Sequence, residues 1–173
     1  MPITLNNLDA SSDPKDKNPS IKYKIFLAQQ ADVNFDNWPA VVNGAIPSLP
    51  MKTGKLCKYI ELQDGSVKPN AAAVGEVAPQ GQLTIQANIE GIYPEMLQWL
   101  YEQNGNKFVV IWEHCVSGKK YIAGSPCSTL KLSYTALGLI EDWLGANIQF
   151  VGAACMEPFW FFSGTIPLVP DND

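Results

Sequence analysis

The sequence predicts a mainly β protein, an antiparallel β-sandwich or open barrel with one α-helix packed on it. Short runs of β-branched and aromatic residues recur along the 173 residues, separated by turn signals roughly every 8–15 residues. One nine-residue stretch alternates strictly between polar and apolar side chains. Only one segment shows helical spacing, so a β-α-β rhythm and a parallel sheet are disfavoured.

The stretch Gln82–Glu90 is the clearest strand. Side chains along a strand point alternately to its two faces. The apolar face of this strand comprises Leu83, Ile85, Ala87 and Ile89. The polar face comprises Gln82, Thr84, Gln86, Asn88 and Glu90. We expect the first set to face a core and the second to face water.

Other strands are predicted before and after this one. Apolar runs place them at 21–28, 55–63, 108–113, 119–124, 129–135 and 147–151, with an aromatic segment at 157–162. In the run 129–135 we expect Tyr134 to point inward with Leu130 and Leu132. The outward set is Thr129, Lys131, Ser133 and Thr135. Residues 136–145 are predicted to form a loop or one helical turn.

The helix is predicted between the strands at 82–90 and 108–113. Pro94 suits a first helical turn because its missing N–H has no partner there in any case. Apolar residues then recur with helical spacing at Leu97 and Leu100. Asn104 and Gly105 supply the left-handed stop.

The chain divides into an N-terminal arm at 1–20 and a sandwich domain at 21–173 that carries a long loop at 64–81. The arm is either a floppy terminus or a segment that orders on a neighbouring subunit through Ile3, Leu5 and Leu8. The loop is either mobile or docked on a partner. Docking is favoured by its low polarity, with candidate contacts at Val67, Pro69, Ala72, Val74, Glu76 and Val77.

Charge is scarce and slightly acidic. Charged residues make up 17% of the chain and the formal net charge is −5, against about 25% charged residues in typical domains. The surface is therefore either that of a low-charge monomer or one covered by copies of itself. Because the sequence has no run of basic residues, a protein that binds nucleic acid tightly is disfavoured. No apolar run or leader pattern predicts a membrane span, a membrane partner or classical secretion.

The chain has few residues in patterns that are typical of catalytic or metal-binding sites. No CxxC pair occurs among Cys57, Cys115, Cys127 and Cys155, and His114 is the only histidine. We expect reduced thiols acting as buried small hydrophobes, and a structural histidine at a strand end. No cofactor is implied, and we do not expect an enzyme.

The order of elements over about 21–168 resembles the tail tube (major tail) proteins of tailed bacteriophages. The local texture agrees at three places: Val74-Gly75-Glu76 before Gly81–Ile85, Lys107–Glu113 after the helix, and Cys155–Trp160 near the end. The resemblance implies a tail-tube-like sandwich and a structural virion protein made in the host cytoplasm.

The same resemblance implies self-assembly into hexameric rings that stack into a conduit for genome ejection. Its partners would be further copies, the tape-measure and terminator proteins, a sheath in contractile tails, and DNA in transient passage. The lumen-lining residues would be the polar set of 82–90, with a second choice of Thr129, Lys131, Ser133 and Thr135. The loop at 65–80 would bridge stacked rings, and the arm would bridge neighbours.

Three alternatives stay open from the residues alone. One is the tube of a contractile injection system. Another is a carbohydrate-binding or adhesin-type sandwich that uses tryptophan platforms, for which the chain offers Trp38, Trp99, Trp112, Trp143 and Trp160. The third is an enzyme of a type that no motif reveals.

Overall fold

A computed structural model describes residue 14 and residues 20–168. It confirms a mainly β fold with one helix. The predicted arm contacts Ile3, Leu5 and Leu8 lie outside the described residues. The strands are β1 Lys24–Gln29, β2 Ala45–Ile46, β3 Lys58–Glu61, β4 Lys68–Val74, β5 Gln80–Glu90, β6 Lys107–Glu113, β7 Lys120–Ala123, β8 Leu130–Ile140, β9 Trp143–Val151 and β10 Trp160–Phe162, and the helix α1 is Pro94–Gln103.

The ten strands form one hydrogen-bonded sheet that branches at β6 into two parts, which we call the first sheet and the second sheet. The first sheet has the strand order β3-β1-β6-β7-β10-β2, and the second sheet continues from β6 through β8-β9-β5-β4. On one side of β6, residues 110–113 pair with β7 while residues 107 and 108 pair with β8. All strand pairs are antiparallel except β10 with β2. The predicted antiparallel arrangement therefore holds except at that edge, where β10 pairs in parallel with a short strand from the connection after β1.

The main core lies between the two sheets. Strand β5 supplies Leu83 and Ile85, which are at most 1% exposed, as the alternation predicts. Helix α1 belongs to the same cluster through Met96 and Leu100. The first sheet contributes Ile25, Leu27, Phe108, Val110 and Trp112, and the second sheet also contributes Leu130, Leu132, Ile148 and Phe150. Apolar burial between sheets is the dominant favourable term that holds such a sandwich together.

A second core covers the other face of the first sheet. Val109 and Ile111 of β6 point into it, together with Ile122 of β7. Its cover comes from the connection after β1 and from the chain's end, including Ile46, Leu49, Cys57 and Phe162. Strand β6 is thus buried on both faces, which explains why its sequence reads as an unbroken apolar run.

The predicted loop at 64–81 is wrong over its middle. Residues 68–74 form β4, which pairs with β5 from Lys68↔Gln86 to Val74↔Gln80. Val67, a predicted inter-ring contact, is only 4% exposed and belongs to the main core. Pro69 and the alanines concealed the strand, since proline and alanine are depleted in strands and proline is tolerated chiefly at sheet edges.

The predicted loop or turn at 136–145 is also wrong. Strand β8 runs on to Ile140 and β9 starts at Trp143, so the two form a hairpin closed by Glu141 and Asp142. A bulge at Thr135 shifts the register between the two strands. Tyr134 was expected in the core but is 38% exposed, with its ring 6.5 Å from that of Tyr101 on α1.

Helix α1 begins and ends where the sequence predicts. Pro94 occupies its first turn, and the backbone N–H of Asn104 donates to the carbonyl of Leu100. Gly105 follows with φ of 87°, the left-handed conformation that glycine adopts without steric cost.

Candidate functional site

The two predicted lumen-lining sets lie on one face of one sheet. Strands β5 and β8 are both neighbours of β9, so the set from 82–90 and the set from 131–133 are joined across it. In register, Gln86 of β5 lies opposite Gln149, and Gln149 lies opposite Ser133 of β8. Thr129 lies just before β8 and is half-buried. We call this outer face of β4, β5, β9 and β8 the polar face.

Strands β4 and β9 add residues to the polar face that the sequence reasoning did not assign. Asn147 lies opposite Asn88, and Asn70 lies opposite Thr84. The alternation of β9 already separated Asn147 and Gln149 from the apolar set. The pairing of β9 with β5 could not be predicted from the sequence, because the two strands are distant along the chain.

Several amides on the polar face are held by hydrogen bonds. The Nε2 of Gln149 donates to the hydroxyl oxygen of Ser133 at 3.4 Å, and the Nε2 of Gln82 donates to the carbonyl of Gly152 at 3.2 Å. Asn88 donates through Nδ2 to Oε1 of Gln63 at 3.1 Å. These bonds fix amide orientations, which gives the face a defined pattern of donors and acceptors.

Charge on the polar face stays at its margins. Lys68 lies on β4, and Lys131 of β8 lies opposite Lys107 of β6. Glu90 occupies the far end of β5. The central rows carry only amides and hydroxyls, from Gln86, Asn88, Asn147, Gln149 and Ser133. The expectation of a sparsely charged face holds for these rows. Lys131 was among the predicted lining residues, whereas Lys68 was not.

A shallow groove crosses the polar face at its hairpin end. Its volume is about 340 Å³. Amides of Gln86, Asn88, Asn147 and Gln149 form its floor, and Trp143 stands at one end. An amide floor beside an indole ring offers hydrogen bonds and one stacking surface to a polar ligand.

The second sheet has open edges. Among the described residues, β4 pairs with β5 alone, so its other backbone edge has no strand beside it. The N–H of Leu132 donates to Asn106 and its carbonyl accepts from Gly105, and beyond residue 132 β8 likewise pairs only with β9 in the described part of the chain. The bend after β4 carries Glu76, which is exposed, and Val77, which is fully exposed. Unpaired N–H and C=O groups at such edges are templates for another strand.

The cysteines divide by environment. Cys57 is buried, and burial raises the pKa of its thiol to about 12. Cys115 and Cys127 are exposed and Cys155 is partly exposed, so the expectation of four buried thiols is wrong for these three. Cys115 and Cys127 lie within turns, and Cys155 pairs with Gly81 in an isolated bridge. All four thiols are unpaired in the described structure.

His114 has the structural role that the sequence predicts. It is 4% exposed at the end of β6, and its Nδ1 accepts from the backbone N–H of Ser117 at 3.1 Å. Within residues 20–168 no group of histidine, cysteine or acidic side chains is arranged to hold a metal ion.

Comparisons of the chain with protein families, curated proteins and solved structures find no match. No helix in the described part is long and apolar enough to cross a membrane.

Proposed function

We propose that the protein is a structural subunit of a phage tail tube, whose copies form stacked rings with the polar face toward the lumen. The observation that carries the proposal is the uncharged polar row of Gln86, Gln149 and Ser133 that crosses β5, β9 and β8, with the pair Asn88 and Asn147 beside it. Binding of DNA draws its strength from lysine and arginine at phosphates, which release counterions. A wall of neutral amides wets easily and lets a polyanion pass without trapping it.

The open edges of the second sheet supply a way to build the ring. Strand β4 of one copy would pair with the outer half of β8 in the next, which extends the sheet around the lumen. A head-to-tail contact of this kind closes into a ring when its rotation permits. It also covers edges that would otherwise invite uncontrolled pairing.

The remaining roles follow from this proposal. The partners are further copies, the tape-measure and terminator proteins, a sheath where the tail contracts, and DNA in non-specific passage. The site of action is the virion, and the protein works without a cofactor or catalytic group.

Negative-stain electron microscopy of the purified protein tests the proposal. We expect rings or tubes of uniform width. The edge variant Ala72→Lys/Val74→Lys places two charges on β4, at positions that are exposed in the single chain. Because edge charges oppose strand pairing, this variant should remain monomeric while its thermal midpoint stays close to that of the wild type.

A matched variant controls for added charge. Val116→Lys/Gln98→Lys carries the same two charges at exposed positions away from β4, and it should assemble like the wild type. Wild-type protein that stays monomeric at high concentration would contradict the proposal. Equal assembly of both variants would contradict the edge contact.

The groove on the polar face favours a second candidate, a carbohydrate-binding module. Of the five tryptophans, Trp112 is buried in the main core and Trp38, Trp99 and Trp160 pack against a core. Only Trp143 borders the amide floor among the described residues. Glycan-array binding by a monomer, lost in Trp143→Ala and kept in Trp160→Ala, would favour this candidate over the tube.

A further inference from the structure

The tip of the β8–β9 hairpin is apolar and acidic. It projects past the end of β5, whose last pair with β9 is Glu90↔Gly145. Leu139 is 73% exposed and its cross-strand partner Leu144 is 53% exposed. Glu141 and Asp142 form the turn between them, and both are exposed. Two leucines this exposed on a cross-strand pair form an apolar patch that a monomer does not need.

A pocket that is apolar and basic lies on the first sheet. It has a volume of about 400 Å³ between β7, β10 and the turn before β2. Its accessible apolar wall is Phe161, which is 42% exposed, whereas Phe162 also lines the pocket but is only 3% exposed. Lys119 and Lys120 stand over these rings, with Nζ 5.6 Å and 5.5 Å from the respective ring centroids.

We infer that the hairpin tip of one copy docks into this pocket of a second copy. The two leucines would meet the exposed ring of Phe161, and the two acids would meet the two lysines. Burial of apolar area supplies the attraction, and opposite charges at the rim select the orientation. The inference deepens the tube proposal and rests on it, since it names a contact between copies.

A larger cavity around residues 29–36, of about 630 Å³, fits the tip less well. Its lining includes Lys52 and Lys107, but Asp36 offsets part of their charge, and most of the other lining side chains are amides. Because the tip is on the second sheet and the pocket is on the first, the contact joins two different surfaces. Such a heterologous contact is directional, so each added copy presents the same tip and pocket again.

Charge exchange tests the inference in the full-length chain. Glu141→Lys/Asp142→Lys reverses the tip, and Lys119→Glu/Lys120→Glu reverses the pocket. Each variant alone should raise the concentration at which assembly begins by at least about tenfold, in sedimentation velocity, because like charges then meet. The variant with all four changes should assemble again near the wild-type concentration, and an equimolar mixture of the two reversed variants should co-assemble.

Thermal melting reports whether each variant folds, and sedimentation velocity reports whether it assembles. Lys120 donates to the carbonyl of Gly164 at 2.6 Å, so Lys119→Glu alone serves if the double pocket variant melts early. Reversed variants that assemble like the wild type, or a combined variant that fails to recover, would overturn the contact while intact rings uphold the tube. Recovery by charge exchange in small oligomers without rings would uphold the contact and contradict the tube.

Discussion

Gly138 and Gly145 lie opposite each other where β8 and β9 leave the body of the sheet. A Cβ on Gly145 would collide with the carbonyl of Ile89 and the ring of Trp143. A Cβ on Gly138 would meet no heavy atom within 4 Å, although its φ of 129° disfavours other residues. The close approach at Gly145 lets β5 and β9 pair to the end of β5.

This difference predicts unequal costs for two matched substitutions. Gly145→Ala should lower the free energy of unfolding by about 3 kcal/mol, because a strand must move away. Gly138→Ala should lower it by about 1–2 kcal/mol, from backbone conformation alone. Urea denaturation of both variants measures this, and equal losses would contradict the close approach.

The buried thiol of Cys57 predicts a pH dependence of stability. Its pKa is raised from 9.0 to about 12 in the folded chain, so folding favours the neutral thiol. The contribution is fully present below pH 9 and is lost as the pH rises toward 12, because the unfolded chain releases the proton first. Each pH unit within this window removes up to about 1.4 kcal/mol.

Cys57→Ala isolates that effect. The variant lacks the thiol, so its free energy of unfolding should fall less between pH 8.5 and about pH 10.5 than that of the wild type. Titrating lysines and tyrosines act equally on both chains and cancel in the difference. Parallel pH profiles would show that the thiol is not held neutral.

For individual residues, the sequence predicted which side chains of β5 share a face, but it did not predict which cysteines and which tyrosine are exposed. The apolar set of β5 is buried as predicted because a strand's period fixes which side chains share a face. The exposure of Cys115 and Cys127 was not predictable, because it depends on which loops cover them. Tyr134 shares the face of Leu132 and lies opposite Ile148, but it is 38% exposed beside Tyr101 of α1, and this position depends on where the helix packs.

At the scale of elements, helix α1 and strand β5 were predictable from local signals. Pro94, the apolar spacing and Asn104-Gly105 each act within the helix itself. Strand β4 was not predictable, because the residues from Pro69 to Val74 form a strand only when β5 offers its edge. The β8–β9 hairpin was missed for a similar reason, since Gly138, Gly145 and the acidic turn read as a loop.

Hydrogen exchange should separate these strands. In a monomer we expect amides of β4 to exchange faster than those of β9, which lies between β5 and β8, because edge strands open at lower free energy. On assembly the outer edge of β4 should become protected. Strand β9 provides the internal reference, and unchanged exchange in β4 of assembled protein would contradict strand pairing between copies.

For the whole molecule, the class of fold was predictable and the topology was not. A sandwich with one helix follows from strand count and turn spacing. The branch at β6 and the parallel pair β10–β2 depend on contacts between distant segments. The polar face was predictable strand by strand, but its continuity required the position of β9.

The low charge of the polar face predicts that the assembled protein binds DNA weakly. Gln86→Lys/Gln149→Lys places two ammonium groups side by side in its central row. DNA affinity should rise about tenfold or more at low salt and fall again as salt increases. Fluorescence anisotropy with labelled duplex measures this.

A control carries matched charge elsewhere. Val116→Lys/Gln98→Lys should leave DNA affinity close to that of the wild type. If both variants gain equally, net charge rather than the polar face governs DNA contact.

The pairing of β5 with β9 also has a consequence for synthesis. Strand β5 ends at Glu90, and β9 begins only at Trp143. At translation rates of about 5–20 residues per second, the β4–β5 hairpin waits roughly 3–10 s before its second neighbour leaves the ribosome. During that interval Leu83 and Ile85 have one flank uncovered. We therefore expect a nascent chain of this protein to bind a holdase chaperone until β9 emerges.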